Sequence, residues 1–170
     1  GLGGHCIPID PLYLAWKARI QGFEPRFIDL ASQINAAMPA YVANRTARAL
    51  NMRFRKALRC SKILIVGLSY KRDVTDTRES PAYEVIAKLK DRGASVPYYD
   101  PFVPETGFNG QKMRSVKLTP SELKKYDCVV IVTDHSNVDY DMIVKHSDFI
   151  LDTRNALRNI KTNRGKIERL

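Results

Sequence analysis

The chain has 170 residues, of which 44% are hydrophobic and 27% charged, a balance typical of one globular domain with an appendage. No apolar run approaches the roughly 18 residues of a membrane-spanning helix, and the first residues lack the segments of a signal peptide. These features exclude an integral helical membrane protein and predict no membrane partner. Three widely spaced cysteines argue against a disulfide framework and favour a reducing compartment, so we expect a cytoplasmic protein.

The net charge of +10 comes mostly from one stretch of the chain. Residues 31–72 contain no Asp or Glu but nine Lys and Arg residues. Such a stretch indicates an anionic partner, which can be nucleic acid, a phosphate-bearing ligand or an acidic neighbouring domain. A solvated helix face would explain the same charge. Because the cations are not interleaved with aromatic residues and no nucleic-acid-binding motif is present, no nucleic-acid partner is expected.

The first fourteen residues, GLGGHCIPIDPLYL, combine a glycine-rich turn with a cysteine and an aspartate. Glycine lets a backbone turn tightly and approach a ligand closely. Near a helix start, Cys6 can be exposed with its thiolate form favoured. Asp10, directly before Pro11, is typical of an N-cap. A cysteine nucleophile beside a carboxylate suits covalent carbonyl chemistry, and a turn around a buried cysteine is the alternative.

Two helices are predicted next, over residues 10–21 and about 26–58. The first has Leu12, Ala15, Trp16 and Ile20 on one face, and a glycine at position 22 ends it. The second keeps its apolar rhythm through Pro39, which predicts a kink rather than a break. At a length of roughly 45–50 Å it is longer than a small domain is wide. We therefore expect it to join two domains or to pack against its copy in a homodimer.

From residue 60 onward the pattern becomes that of an α/β fold. Continuous apolar runs bounded by turns predict buried parallel strands, and a helix with Ser80 as N-cap and Pro81 at its first position lies between the first two. The predicted strands are 62–68, 94–99, 127–133 and 149–152. Short helices are predicted at 119–125 and 142–145, a loop with a short strand near Val116 over 102–119, and a fraying tail over 161–170. The fold class is therefore α/β, with a long central helix followed by a Rossmann-like, open and mostly parallel sheet.

Open parallel sheets bind ligands at the carboxyl ends of their strands. The loop after the first strand, residues 67–80, has a single glycine, so a glycine-cradled pyrophosphate is not expected there. It instead carries Tyr70 and three cations, and Arg154 follows the last predicted strand. These cations can hold phosphate oxygens. Alternatively, they form ordinary salt bridges with Asp73, Asp76 and Glu79.

Three segments, GLGGHCIPIDPLYL at 1–14, GLSYKRD at 67–73 and DTRESP at 76–81, together resemble the UDP-glucose/GDP-mannose dehydrogenase family. The resemblance covers essentially the whole chain. It implies an NAD-dependent enzyme that oxidises the C6 alcohol of a nucleotide sugar to a carboxylate in two hydride transfers. It further implies that Cys6 attacks the C6 aldehyde to give a thiohemiacetal and then a thioester, which water hydrolyses. Asp10 would help to move protons and place water, and Arg78 would reach the NAD side of the cleft.

The resemblance also implies a set of substrate contacts. Gly3 and Gly4 match the turn whose backbone lies along the sugar nucleotide. Tyr70 and Lys71 match the pair that holds the nucleotide and its phosphates. Arg154 stands where the family has a substrate-binding arginine.

The resemblance predicts a division into residues 1–59, with the catalytic cysteine turn and the dimerisation helices, and residues 60–170, the UDP-binding domain. The family's amino-terminal NAD-binding domain is absent from the chain, so we expect part of a longer enzyme, without dehydrogenase activity on its own. Many relatives that act on UDP-glucose carry Lys immediately before the aspartate, whereas this chain has Ile9. The expected substrate is therefore a UDP-N-acetylhexosamine, gluco or manno.

Two other functions fit some of these residues. A non-catalytic nucleotide-binding and dimerisation module would use the same domain without the chemistry. A cysteine hydrolase would need a base near the thiol, but His5 adjoins it awkwardly and nothing in the sequence places His135 or His146 nearby. The cysteines and histidines form no metal-ligand pattern, so no metal is expected.

Overall fold

The computed structural model describes residues 1–108 and 110–170. Two opening helices are followed by a mixture of helices and strands. In chain order they are α1 (Asp10–Ile20), α2 (Arg26–Phe54), β1 (Ile63–Val66), α3 (Pro81–Asp91), β2 (Tyr98–Tyr99), β3 (Glu105–Phe108), β4 (Gln111–Arg114), α4 (Pro120–Leu123), β5 (Cys128–Ile131), α5 (Tyr140–His146), β6 (Ile150–Asp152) and β7 (Ile167–Arg169).

The main sheet has the strand order β2-β1-β5-β6-β7, and each of its pairings is parallel. This confirms the predicted α/β class with a long helix followed by a parallel sheet. Strands β1 and β5 are buried along their whole length. The chain runs from β1 outward to β2 and returns to β5 on the other side of β1. The loops after β1 and β5 thus diverge at a topological switch point, where such sheets bind ligands.

Alternate residues of the central strands feed two hydrophobic cores, one on each face of the sheet. Ile63 and Ile65 pack with α3 and with Leu50 from the second half of α2. Leu64 and Val66 pack on the opposite face with α4 and α5. Because α2 shares a core with the sheet, it is anchored to the site-bearing domain. The division of the chain at residue 59 stays a prediction.

Helix α1 begins differently from the sequence prediction. Asp10 is the first helical residue and Ile9 the N-cap, with no side-chain capping bond. The reason is that the Cys6 carbonyl accepts the N–H groups of both Ile9 and Asp10, at 3.1 and 2.8 Å, so the preceding turn already winds into the helix. The predicted N-cap role of Asp10 is therefore wrong. Of the four apolar residues predicted to share a face of α1, only Ala15 is buried, whereas Leu12, Trp16 and Ile20 are 46%, 54% and 56% exposed.

Helix α2 runs without interruption through Pro39, as predicted, and ends at Phe54 rather than near residue 58. Arg55 follows it in the left-handed conformation, and its N–H satisfies the Asn51 carbonyl. The Ser80 N-cap of α3 is confirmed, because its hydroxyl accepts the Ala82 N–H at 3.3 Å.

The segment predicted as a loop over 102–119 contains an antiparallel hairpin of β3 and β4. Its sequence shows no strong alternation because both faces of the hairpin are largely solvated. Contacts from α3 hold it instead: the Tyr83 ring stacks on Phe108 at 4.8 Å, and the Tyr83 hydroxyl bonds to Thr106. Asn109, within the predicted loop, lies outside the described residues.

Strand β2 is shorter than the predicted 94–99, since Pro97 has no N–H to donate to a ladder. Ser95 still bridges to Lys62 beside it.

The sequence predicted a frayed tail over 161–170, and this prediction is wrong because the tail contains β7. This strand pairs with β6, which is therefore not the last strand. Its Glu168 carboxylate lies 2.6 Å from Arg45 Nη2 and 3.6 Å from Arg53 Nη2. Arg53 also donates to the Gly165 carbonyl and lies over the Phe149 ring. The polar tail is thus ordered by long-range ion pairs with α2.

Within residues 1–108 and 110–170, no helix combines the length and apolar character that crossing a membrane requires.

The ion pairs of Glu168 generate a stability prediction. Its side chain is 23% exposed and faces two arginines, so Glu168→Gln should lower the free energy of unfolding by about 1 kcal/mol. Chemical denaturation followed by circular dichroism measures this change. Glu24→Gln is the matched control, because its pair with Arg19 is well exposed. Equal midpoints for the two variants would contradict the anchoring role of Glu168.

Candidate active site

An open cleft of about 570 Å³ lies where the chain's first residues meet the carboxyl ends of β1 and β6. Two of the loops predicted to bind ligands contribute to it. The lining residues are Gly1, Leu2, Gly3, Gly4, His5, Cys6, Ile7, Tyr70, Lys71, Arg78 and Arg154. Of the eight residues singled out from the sequence, the structure brings seven to this cleft.

Glycine is required where the first turn meets the loop after β1. A Cβ at Gly3 would lie 2.4 Å from the Glu79 carbonyl oxygen, and one at Gly4 would lie 2.7 Å from the Tyr70 ring. Gly4 also has φ +90°, which side chains rarely adopt. Its N–H donates to the Arg78 carbonyl at 3.2 Å. The turn therefore rests directly on the loop that carries Tyr70.

A second contact joins the same turn to helix α2. The Asn35 amide accepts the Leu2 N–H at 2.5 Å and donates to the Leu2 carbonyl at 3.0 Å. The turn is held between α2 and the loop after β1, and these contacts fix the position of Cys6, which follows the turn.

Cys6 is exposed and lines the cleft. The alternative of a turn built around a buried cysteine does not apply, since the buried thiol is Cys128, within β5. Burial raises the pKa of Cys128 far above its usual range, which leaves it inert. Asp10 is one turn beyond Cys6, and its side chain is not among those that line the cleft.

The cations around the cleft differ in how they are held. Arg78 forms a two-pronged pair with Asp76, with contacts between 2.7 and 3.1 Å. The hydrogen bond to Asp76 raises the pKa of Arg78, and the Arg78 side chain lowers the pKa of Asp76 in return. The salt-bridge alternative thus holds for Arg78. Lys71 lines the cleft without a carboxylate partner among the described residues.

Arg154 is placed by the carboxylates that end two neighbouring strands. Its N–H donates to Asp152 at 3.0 Å, so the buried Asp152 folds the turn after β6. Its guanidinium Nε lies 3.6 Å from Asp134, which also lies 3.7 Å from Arg72. Arg154 remains 43% exposed and can turn a face toward a ligand.

Sequence reasoning missed a buried pair beneath the cleft. Asp100, which follows β2, is 2% exposed and His135 is fully buried. Burial alone would raise the pKa of Asp100, but hydrogen bonds from His135 and from backbone N–H groups outweigh it and leave the pKa below its usual range. The position of Asp100 directly after a predicted parallel strand is the sequence signal that could have pointed to this pair, because ligand sites lie at the carboxyl ends of such strands.

Two models of one protein family match the chain. Residues 64–159 match the UDP binding domain of the UDP-glucose/GDP-mannose dehydrogenase family, and residues 1–37 match the central domain of that family.

Relatives with stated activities share both sequence and structure with the chain. A UDP-N-acetyl-D-mannosamine dehydrogenase from Methanococcus maripaludis is 33% identical over 94% of the chain and 36% of its own length. A UDP-N-acetyl-D-glucosamine 6-dehydrogenase from Pseudomonas aeruginosa is 30% identical over 79% of the chain and 32% of its own length. The solved UDP-D-ManNAc dehydrogenase of Pyrococcus horikoshii superposes with a TM-score of 0.77 at 30% identity, covering 95% of the chain and 37% of that structure.

The chain thus spans little more than a third of the length of such relatives, 36% for the Methanococcus maripaludis protein. The matched domain occupies most of the sheet described above, and the cleft lies at its carboxyl edge. By its domain match and its relatives, the chain belongs to the UDP-glucose/GDP-mannose dehydrogenase family.

Proposed function

We propose that the chain supplies the nucleophile and the UDP-binding part of an NAD-dependent dehydrogenase that oxidises the C6 alcohol of a UDP-N-acetylhexosamine to a carboxylate. One observation carries the proposal: the exposed Cys6 thiol shares a cleft with Lys71 and Arg154. Cations suit the diphosphate of a nucleotide sugar, and a thiol suits an aldehyde. The three free cysteines support action in a reducing compartment, the cytoplasm.

The proposed substrate class rests on two features. The printed activities of the relatives in Methanococcus maripaludis and Pseudomonas aeruginosa are on N-acetylated UDP-sugars. In addition, Ile9 stands at the position before Asp10, where a lysine is expected for UDP-glucose.

In this proposal the cleft arranges the substrate from its diphosphate toward its sugar. Lys71 and Arg154 hold the phosphate oxygens, and the Tyr70 ring packs beside the nucleotide. The Gly3 and Gly4 backbone leaves room for the sugar, whose C6 is directed toward Cys6.

Covalent chemistry at Cys6 accounts for the second oxidation. The thiolate adds to the C6 aldehyde, forming a C–S bond and turning the aldehyde oxygen into a hydroxyl. Loss of a hydride from that carbon and of a proton from the hydroxyl leaves a thioester. Water then attacks the thioester carbon, releasing the carboxylate and regenerating the thiol. We assign proton transfer to Asp10, which follows Cys6 by one helical turn.

NAD accepts the hydrides when it is bound, but the described residues do not form a dinucleotide site. Gly67 is packed against Thr133, since a Cβ there would lie 2.4 Å from the Thr133 Cβ. The Asp100 carboxylate points inward and binds backbone N–H groups instead of facing a ribose. Among the described residues, Arg78 alone is a candidate contact for NAD. We expect the 170-residue chain by itself to lack turnover, and we propose that a separate NAD-binding domain completes the enzyme.

We also propose that the chain forms a homodimer through α2, the helix that the sequence predicted over residues 26–58. Exposed apolar side chains are numerous on α1 and the first half of α2, and we take them as the apolar surface of this dimer. They include Leu12, Leu14, Trp16, Ile20, Phe27, Leu30 and Ile34.

Nucleotide binding is the first prediction from this proposal. Lys71→Ala and Arg154→Ala should each weaken UDP affinity by about tenfold, because each removes a charge-assisted contact with phosphate. Isothermal titration calorimetry measures the loss. Lys124→Ala is the matched control, since it removes the same charge next to α4, at the opposite edge of the sheet. Unchanged affinity in both cleft variants, or no binding of UDP at millimolar concentration, would contradict the proposal.

The second prediction concerns the reactivity of Cys6. Saturating UDP-N-acetylglucosamine should slow the alkylation of Cys6 by iodoacetamide, because the sugar covers the thiol. Cys60 is an exposed thiol outside the cleft and is the internal control, which should keep its rate. Peptide mass spectrometry reports both rates in one sample. Equal protection of both thiols, or of neither, would favour the alternative of a non-catalytic nucleotide-binding module.

The third prediction is a dimeric mass. Size-exclusion chromatography with light scattering should give twice the 19.3 kDa of the chain. Phe27→Asp should shift the mass toward the monomer, since it places a charge on a side chain that is 88% exposed within the apolar surface. A wild-type monomer at tens of micromolar protein would rule out this dimer.

A further inference from the structure

His135 is fully buried, yet the chemistry proposed above does not use it. It follows β5 at the switch point of the sheet and does not line the cleft. Its ring lies 5.0 Å from the Phe102 ring, and its carbonyl accepts the Tyr140 hydroxyl at 3.1 Å. A buried imidazole with this many partners is a candidate for holding neighbouring backbone in place.

The contacts of His135 fix its tautomer. The Asp73 backbone N–H donates to Nδ1 at 3.0 Å, and because a backbone N–H can only donate, Nδ1 carries no proton. Nε2 then carries the proton and donates to Asp100 Oδ2 at 3.0 Å. The same Asp100 oxygen accepts the N–H groups of Leu68 and Ser69, at 2.6 and 3.0 Å. The ring therefore links the end of β2 to the loop after β1.

These contacts lie on both sides of Lys71 in the sequence. Before it, Ser69 is held by Asp100 and by Thr133, whose hydroxyl donates to the Ser69 carbonyl at 2.7 Å. The Ser69 hydroxyl lies 3.2 Å from His135 Nε2 and donates to the Lys71 carbonyl at 2.9 Å.

After Lys71, Asp73 adopts φ +59° and donates to the imidazole. Its carboxylate accepts the N–H and the hydroxyl of Ser136, both at 2.8 Å. The backbone carbonyl of Lys71 and the residues on both sides of it are thus held by contacts that centre on His135, while Lys71 itself lines the cleft.

We propose that His135 is a positioning residue for nucleotide-sugar binding: it holds the 69–73 backbone so that Lys71 faces the diphosphate of the ligand. This role rests on the proposed function of the cleft. Without the imidazole, Asp73 loses its acceptor and Asp100 loses one donor, so the loop gains conformations in which Lys71 leaves the cleft. The ligand then binds only the fraction of molecules in which Lys71 faces the cleft, and its apparent affinity falls in proportion to that fraction.

The test is a double-mutant cycle in the 170-residue chain. His135→Phe keeps a ring beside Phe102 and removes both nitrogens, and it should weaken UDP affinity by about tenfold. In a Lys71→Ala background the same substitution should cost less than about twofold, because its effect passes through Lys71. His135→Gln should restore part of the affinity, since its amide can donate and accept. Equal losses in the two backgrounds, or no loss, would overturn the proposal.

Hydrogen exchange of the ligand-free chain separates this proposal from the function on which it rests. The amides of residues 70–73 should exchange faster in His135→Phe than in Glu168→Gln. The second variant is the control, because Glu168 pairs with Arg45 and Arg53 of α2 and removing its charge lowers stability away from the loop. Unchanged exchange would overturn the ordering role even where UDP binds. Absence of UDP binding by the wild-type chain, with faster exchange in His135→Phe, would instead mean that the loop is ordered as argued and that the proposed ligand is wrong. If His135→Phe does not fold, His135→Gln replaces it in both the double-mutant cycle and the hydrogen-exchange experiment, with an expected affinity loss of about threefold.

Discussion

The site depends on one steric constraint, the direct contact between the glycine turn and the loop after β1. Neither Gly3 nor Gly4 has room for a Cβ, because the Glu79 carbonyl and the Tyr70 ring occupy that space. This contact sets Cys6 at a fixed place beside the cationic side of the cleft. The Cys6 thiol and Lys71, which are 65 residues apart in sequence, thus line one cleft, and the cost is a backbone that only glycine adopts readily.

Charge is distributed to match this arrangement. Part of the basic excess is neutralised within the chain, where Arg45, Arg53 and Lys56 pair with carboxylates of the sheet domain. Helix α2 packs against the sheet through the apolar core that Leu50 shares with Ile63 and Ile65, and these ion pairs neutralise cations beside that core. Around the cleft, carboxylates shape backbone turns, as Asp152 does through three N–H groups, and Lys71 has no carboxylate partner among the described residues. Exposed pairs contribute little to stability, so their arrangement matters more for recognition.

Local signals in the sequence predicted the central strands, the α3 cap and most of the cleft residues. Continuous apolar runs specify β1 and β5, and a Ser-Pro start specifies α3, because each depends on neighbouring residues. Features set by distant contacts were not predictable in this way. Tyr83 holds the hairpin of β3 and β4, and Arg45 and Arg53 hold β7. Asp100 and His135 hold the loop after β1. Each of these residues is distant in sequence from the segment that it holds.

The central claim is that Cys6 and the cations of the cleft act on one nucleotide sugar. A crystal structure of the chain with UDP-N-acetylglucosamine tests it most directly. The account predicts that the diphosphate lies within hydrogen-bond distance of Lys71 and Arg154 and that C6 of the sugar faces the Cys6 thiol. A nucleotide bound elsewhere on the sheet edge, or one in the cleft with its sugar directed away from Cys6, would contradict it.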